Sequence, residues 1–218
     1  MLKLPMLASG LALMMASSAF ALTKPAFDTG STGFYYNRLQ AGYEWTTFAA
    51  PEAGVAAPSA ASGFLVNGRV FVFEDGVYLK GAFSTSNQQL DADPLTEAKG
   101  NSFTLGAGLR LPIAMDIDFR AEFDYTSSVT NEFEKGVQKK VEPRAGFPGM
   151  EGGLVMTTDA GLFASAALRV ELPEAGTRTS LHSEVGFKAT PNFNISGVAS
   201  APFDFESTTF GLQAGFSF

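Results

Sequence analysis

The sequence predicts an all-β fold, an antiparallel up-and-down transmembrane β-barrel of eight strands. Three observations predict it. Apolar residues recur at every second position through most of the chain, and no 3.6-residue helical stripe competes with them. The connections between these runs alternate between short and long, as in a barrel with tight turns inside the cell envelope and long loops outside it. The chain ends on the alternating run "FGLQAGFSF", whose final residue is Phe218.

The first element is an export signal. Residues 1–21, "MLKLPMLASGLALMMASSAFA", carry a single cation, Lys3, then an apolar stretch from Leu7 to Met15 and an A-x-A site at Ala19–Ala21. That layout predicts cleavage after Ala21, because the apolar stretch falls short of the roughly 20 residues a spanning helix needs. Residues 22–33 are read as a short periplasmic segment and 34–218 as the barrel. The roughly 197 residues left after cleavage fit one domain.

The predicted strands follow in order at about 35–48, 65–74, 77–87, 102–112, 116–127, 160–172, 178–190 and 205–218. In the first, Tyr35, Leu39, Ala41, Tyr43 and Trp45 form the apolar face against Tyr36, Arg38, Gln40, Gly42, Glu44 and Thr46. The second and third form a hairpin about Asp75-Gly76, a dipeptide suited to a type I′ turn, which sets Phe73 opposite Tyr78 and Val72 opposite Leu79. The fourth alternates Phe103, Leu105, Ala107, Leu109 and Leu111 with Thr104, Gly106, Gly108 and Arg110. The fifth sets Ile117, Phe119, Ala121, Phe123 and Tyr125 against Asp118, Arg120, Glu122, Asp124 and Thr126. Leu162, Ala164, Ala166, Leu168 and Val170 share one face of the sixth, and the turn "LPEAGT" leads into the seventh. Whether the long loop after the fifth strand holds a further hairpin is open at this stage.

Composition removes whole classes of function. With no cysteine there is no lipidation site, disulfide, zinc-thiolate centre or Cys nucleophile. A net charge of −7, made more negative by loss of Lys3, argues against nucleic acid, whose phosphates need a basic partner. "DADP" at 91–94 is too short for a calcium loop, and no cofactor or metal site is expected.

The wet face separates two β architectures. A soluble sandwich turns its apolar face inward, whereas an outer-membrane barrel turns it to lipid and keeps a polar interior. Here the polar positions are small or complementary in charge, aromatics (Tyr35, Trp45, Phe48, Tyr125, Phe218) collect near strand ends, and an even strand count closes without edges. The last strand places Phe210, Leu212, Ala214, Phe216 and Phe218 on lipid. It resembles the C-terminal strand signal of bacterial outer-membrane barrels, which ends in an aromatic residue. That resemblance implies recognition of Phe210, Leu212, Phe216 and Phe218 by the barrel-assembly machinery. The mature chain resembles the small eight-stranded group that includes the OmpA transmembrane domain, OmpX and the opacity proteins. The implied setting is the outer membrane of a Gram-negative cell, as a monomer among lipid and lipopolysaccharide. Unlike OmpA itself, the chain is expected to carry no peptidoglycan-binding domain.

The residues expected to face the lumen include Arg38, Glu44, Arg110, Asp118, Arg120, Glu122, Asp124, Arg169, Glu171 and Arg178, with Arg69, Lys80, Glu184 and Lys188 beside them. Folding about the turns sets Arg110 opposite Asp118 and Glu171 opposite Arg178. A packed polar plug is favoured over an ion path, because an eight-stranded interior is just filled by side chains and paired charge avoids the cost of unpaired charge there. Asp118, Glu122 and Asp124 are spaced compatibly with carboxylate chemistry, but Arg120 between them suits charge compensation better. Ser180, His182 and Glu184 share one strand face and resemble the Ser-His-Glu set of the lipid A deacylases; His182, however, is expected near the periplasmic end, away from outer-leaflet lipid A. The loop from Ser127 to Asp159 gathers Lys135, Lys139, Lys140 and Arg144, candidate contacts for lipopolysaccharide phosphates or a host polyanion, against the plainer reading of a solvated loop of mixed charge. The Ala/Pro-rich first loop carries no chemical motif. The expected function is thus non-catalytic, in envelope integrity or surface interaction through long loops, with a narrow porin-like channel and a lipid A-modifying enzyme as alternatives.

Overall fold

The computed structural model describes residues 33–49, 58–73, 76–90, 96–134, 136–141, 144–174 and 176–218. The export signal, residues 22–32, Asp75, the 91–94 run and Lys135 lie outside the described residues. A one-turn helix, α1 (Gly33–Tyr36), precedes β1 (Arg38–Phe48), β2 (Pro58–Phe71), β3 (Val77–Leu90), β4 (Thr96–Ala114), β5 (Ile117–Glu134), β6 (Val137–Val141), β7 (Ala145–Thr157), β8 (Leu162–Glu171), β9 (Arg178–Thr190), β10 (Phe193–Pro202) and β11 (Ser207–Ser217). Every pairing is antiparallel. β1 pairs with β11 and β4 with β5, so the sheet closes on itself. β6 and β7 pair with successive parts of β5 and fill one place in the ring.

The barrel therefore has ten strands rather than eight. The two extra places are β6/β7, inside the expected third loop, and β10, inside the expected fourth. β7 carries Gly146, Pro148, Gly149, Gly152 and Gly153, residues that read as loop. Pro148 is tolerated because its carbonyl accepts from Leu172 N–H, so its ring nitrogen points the same way, just past the end of β8. In β10 the outward positions include Gly197, Ala199 and Ala201, too small to give a strong alternation.

An additional strand reverses the direction of everything after it. β8 runs away from the end that holds both termini, and the 172–177 turn lies at the far end, not at the terminal end expected for "LPEAGT". The far-end connections are 49–57, 91–95, 135–136, 172–177 and 203–206, so the expected long loops are largely strand. The wall is uneven. β4 and β5 run for 19 and 18 residues, β8 and β10 for 10 each. The tall side outreaches the low side by roughly 25 Å along the strand.

Register departs from expectation at two turns. Phe71 faces Tyr78 and Val70 faces Leu79, because β2 stops before a wider connection in which Gly76 takes φ +86°. Pro112, not Arg110, faces Asp118. Tyr35, expected on the lipid face, belongs to α1 and is fully buried inside the barrel, because β1 begins only at Arg38.

Glycines on the inner wall lie beneath large neighbours. A Cβ on Gly108 would come within 2.3 Å of the Tyr78 ring, and one on Gly106 within 2.5 Å of Asp124 Cβ. Gly108→Ala is expected to push a rigid ring off the wall and destabilise the barrel by about 1–3 kcal/mol. A lower temperature for the heat-induced gel-mobility shift, relative to the parent chain, is the readout.

Candidate functional site: the barrel interior

Alternation turns one side chain in two toward the interior, and the residues there sort into layers. At the terminal end, α1 turns into the barrel and inserts Tyr35 and Tyr36. Tyr36 packs on Tyr78 with ring centroids 5.0 Å apart and on Phe71 at 5.3 Å; Tyr35 packs on Phe163 at 6.0 Å. The Arg38 guanidinium lies 4.0 Å from the centre of the Tyr35 ring. An aromatic floor thus closes this end.

Above the floor sits a web of ion pairs. Glu122 accepts from Tyr78 Oη at 2.7 Å, Lys80 Nζ at 2.5 Å, Arg69 Nε at 3.1 Å and Arg120 at 3.2 Å. Arg120 also donates to Glu151. Arg169 grips both oxygens of Asp124 at 2.7 and 2.8 Å and gives its Nε to Glu171 at 2.8 Å, while Lys80 reaches Asp124 at 2.5 Å. Arg38 holds Glu184 through two bonds of 2.8 and 2.6 Å, a fork geometry stronger than a single contact. Arg110 Nε meets Asp118 at 2.7 Å, diagonally across the shifted register. The web pairs Arg38, Arg69, Lys80, Arg110, Arg120 and Arg169 with Asp118, Glu122, Asp124, Glu151, Glu171 and Glu184, equal in number and opposite in sign.

Other expected lumen residues stand apart. Arg178 faces Glu171 in register but is exposed at the rim, and Lys188 lies toward the terminal end of β9. Glu44, half-buried, makes no hydrogen bond or ion pair among the described residues. It lines a cavity of about 300 Å³ whose wall is shared between the ion-pair web (Arg38, Arg69, Lys80, Arg120, Glu122, Glu151, Arg169 and Glu184) and neutral residues that include Asn67, Thr104, Ser200, Thr209 and Gln213.

His182 lies four residues from the far end of β9, not near the terminal end as expected, because β7 reversed the strand direction. Its Nε2 is 3.0 Å from Ser180 Oγ and its Nδ1 is 3.4 Å from Glu151 Oε2; Glu184, the carboxylate expected in that set, is taken by Arg38. Glu151 is in turn claimed by Arg120. Sequence reading missed Glu151, whose flanking glycines hid its strand, and the inward Tyr35. It also passed over the amide set in which Gln40 donates to Asn194 at 3.1 Å and Asn67 to Gln213 at 2.9 Å.

The candidate loop cations occupy the β5–β6 hairpin and its approach to β7. Lys139 pairs with Glu134 at 3.2 Å, Lys140 stands opposite Glu132 in register, and Arg144 is exposed. Among the described residues, no group of three or more His, Asp or Glu side chains is placed to hold a metal ion.

No protein-family model matches the chain, and no curated protein does. Among solved structures it is similar to the translocator domain of the autotransporter NalP from Neisseria meningitidis, with TM-score 0.49, 13% identity and 98% of each chain covered. It is also similar to Ail, the attachment invasion locus protein of Yersinia pestis (TM-score 0.45, 13% identity, 83% of this chain and 97% of that one). The N-terminal β-barrel domain of Pseudomonas aeruginosa OprF gives TM-score 0.40 and 15% identity, over 84% of this chain and 98% of that one. These three likenesses assign no activity to the chain.

Removing the acceptor at the centre of the web strands several cations. Glu122→Ala is expected to cost about 3–5 kcal/mol, whereas Arg178→Ala at the rim stays within about 0.5 kcal/mol. Equilibrium urea unfolding in lipid vesicles, followed through the fluorescence of Trp45, the sole tryptophan, measures both.

Proposed function

We propose that the chain is an outer-membrane β-barrel of a Gram-negative cell that neither conducts nor catalyses, and that serves the envelope or meets external surfaces through its tall far-end wall. One observation carries the reading, the inversion of burial. Arg38, Asp118, Arg120, Glu122 and Asp124 are at most 4% exposed, while Leu111, Phe123, Leu154, Leu168, Leu212 and Phe216 are 49% exposed or more. No water-soluble fold gains from that arrangement, since it buries charge and leaves the apolar area in solvent. Lipid reverses both signs.

The closed ring supports it further, because every strand of the spanning part has two neighbours and no backbone edge meets hydrocarbon. Phe210, Leu212 and Phe216 stand outward on β11 and Phe218 is exposed just past its end, the arrangement expected of an assembly signal for the barrel-insertion machinery. The surface role rests on the β4–β5–β6 wall rather than on long loops. Lys139, Lys140 and Arg144 there are the proposed contacts for lipopolysaccharide phosphates, with Lys135 in the same segment.

A narrow channel is the second reading, favoured by the cavity of about 300 Å³. Against it stand the aromatic floor of Tyr35, Tyr36, Tyr78 and Phe163 and a charge web that is already paired.

Two measurements test the proposal. The refolded barrel is expected to give no steady conductance steps in a planar bilayer, and Tyr35→Ala with Tyr36→Ala is expected to produce them; steps from the parent chain would favour the channel. The chain has no cysteine, so Val137→Cys on β6 and Asp116→Cys at the β4–β5 turn give clean single labels. An impermeant maleimide added to intact cells is expected to reach position 137 and not 116; labelling of 116 alone would reverse the orientation, and a freely soluble periplasmic product would end the membrane reading.

A further inference from the structure

We infer that the cavity is a binding site for a small organic monocation, with an ammonium or guanidinium group, whose charge is met by Glu44. The first ground is the charge balance. The interior ion pairs close on themselves, cation for carboxylate, and Glu44 is outside them with no hydrogen-bond or ion-pair partner among the described residues. An uncompensated carboxylate in a confined interior is costly unless a proton, water or a cation meets it.

The second ground is the space beside it. Glu44 stands directly opposite Gly63 on β2 and Gly211 on β11, so no side chain from either neighbouring strand covers it at its own level. Its stem lies across Gly211, where an added Cβ would come within 2.7 Å of Glu44 Cγ. The carboxylate is thereby kept at the wall of the cavity, which it lines with Thr209 and Gln213. Thr209 shares a hydroxyl bond of 2.7 Å with Thr46, which leaves lone pairs on that couple free to accept.

The chemistry selects the ligand. An ammonium or guanidinium group needs acceptors and one negative charge; the cations that line the cavity, Arg38, Arg69, Lys80, Arg120 and Arg169, are each paired with a web carboxylate, and Glu44 is the lining carboxylate left over among the described residues, beside the neutral oxygens of Thr209 and Gln213. Calcium takes six to eight oxygens and draws on several carboxylates, which Glu44 alone does not supply. A volume of about 300 Å³ exceeds a bare ion and stands at the lower end of sites for small molecules. The aromatic floor leaves the far end as the approach, so the inference rests on the closed-barrel reading.

Ethylguanidinium and its neutral isostere ethylurea probe the site, by saturation-transfer NMR on the barrel refolded in deuterated detergent. Ethylguanidinium is expected to bind at millimolar concentration and ethylurea at least tenfold more weakly. Glu44→Gln is expected to abolish that preference while retaining the heat-modifiable gel shift, and Glu44→Asp to keep part of it. Equal signals from the two probes on the parent chain, or an undiminished preference in Glu44→Gln, would overturn the inference. Should Glu44→Gln not fold, the comparison of the two probes on the parent chain decides alone. Conductance recorded on the same preparation separates the two readings: a silent barrel without probe preference loses only the cation site, and a conducting one loses the closed barrel.

Discussion

Four donors converge on the Glu122 carboxylate, and the rest of the interior is arranged around what that carboxylate must have. Tyr78 reaches it from β3 at the edge of the aromatic floor, Arg69 and Lys80 from β2 and β3, and Arg120 from its own strand. Two of those cations are then drawn toward a further acceptor. Arg120 goes on to Glu151 on β7 and Lys80 to Asp124, where Arg169 of β8 is also fixed. The web thus ties together strands up to three places apart in the ring. On the proposed membrane reading the outer face meets lipid, the apolar core shrinks to the aromatic floor, and the paired charges hold the rest of the wall together.

The same constraint explains why glycine is so frequent on the inner wall. A long polar side chain can lie flat along the wall only where the neighbouring strand has no Cβ. Gln213 lies over Gly42, Gln40 over Gly215 and Tyr78 over Gly108, each at a distance a methyl group would not permit. Glycine therefore accompanies large side chains across neighbouring strands, and both are needed to fill the interior. On the outside bulky residues stand exposed, and on the proposed membrane reading lipid conforms to their shape, so the density of packing there no longer matters.

How much of this was legible depended on the amplitude of the alternation. β4, β5 and β11 pair large apolar residues with polar or glycine positions, as in Phe119-Arg120-Ala121-Glu122-Phe123, and the sequence displays both the strand and its inward face. The inward positions of Asp118, Arg120, Glu122, Asp124, Arg169 and Arg38 follow from that period alone. β10 and β7 were illegible because small outward residues flatten the same period and because Pro148 sits where β8 no longer requires its N–H. The loss of β7 misplaced His182 at the wrong end of the barrel. Pairing partners were out of reach for another reason: Glu122 meets residues of β2 and β3 across the lumen, and no local pattern encodes which diagonal a long side chain will take.

Strand number and N-terminal structure belong to one argument. An eight-stranded interior is just filled by its own wall. Two more strands widen the ring, and the wall residues no longer meet in the middle. At the terminal end the chain supplies the missing volume by turning α1 inward, so that Tyr35 and Tyr36 fill the gap and the Arg38 guanidinium covers the Tyr35 ring. No described segment does the same above the aromatic floor, and there the surplus width stays as the cavity that the ion-pair web and Glu44 line. The aromatic floor and the cavity are two consequences of the same excess diameter. One end is filled by the chain itself, and the other is left with a carboxylate that the wall does not neutralise.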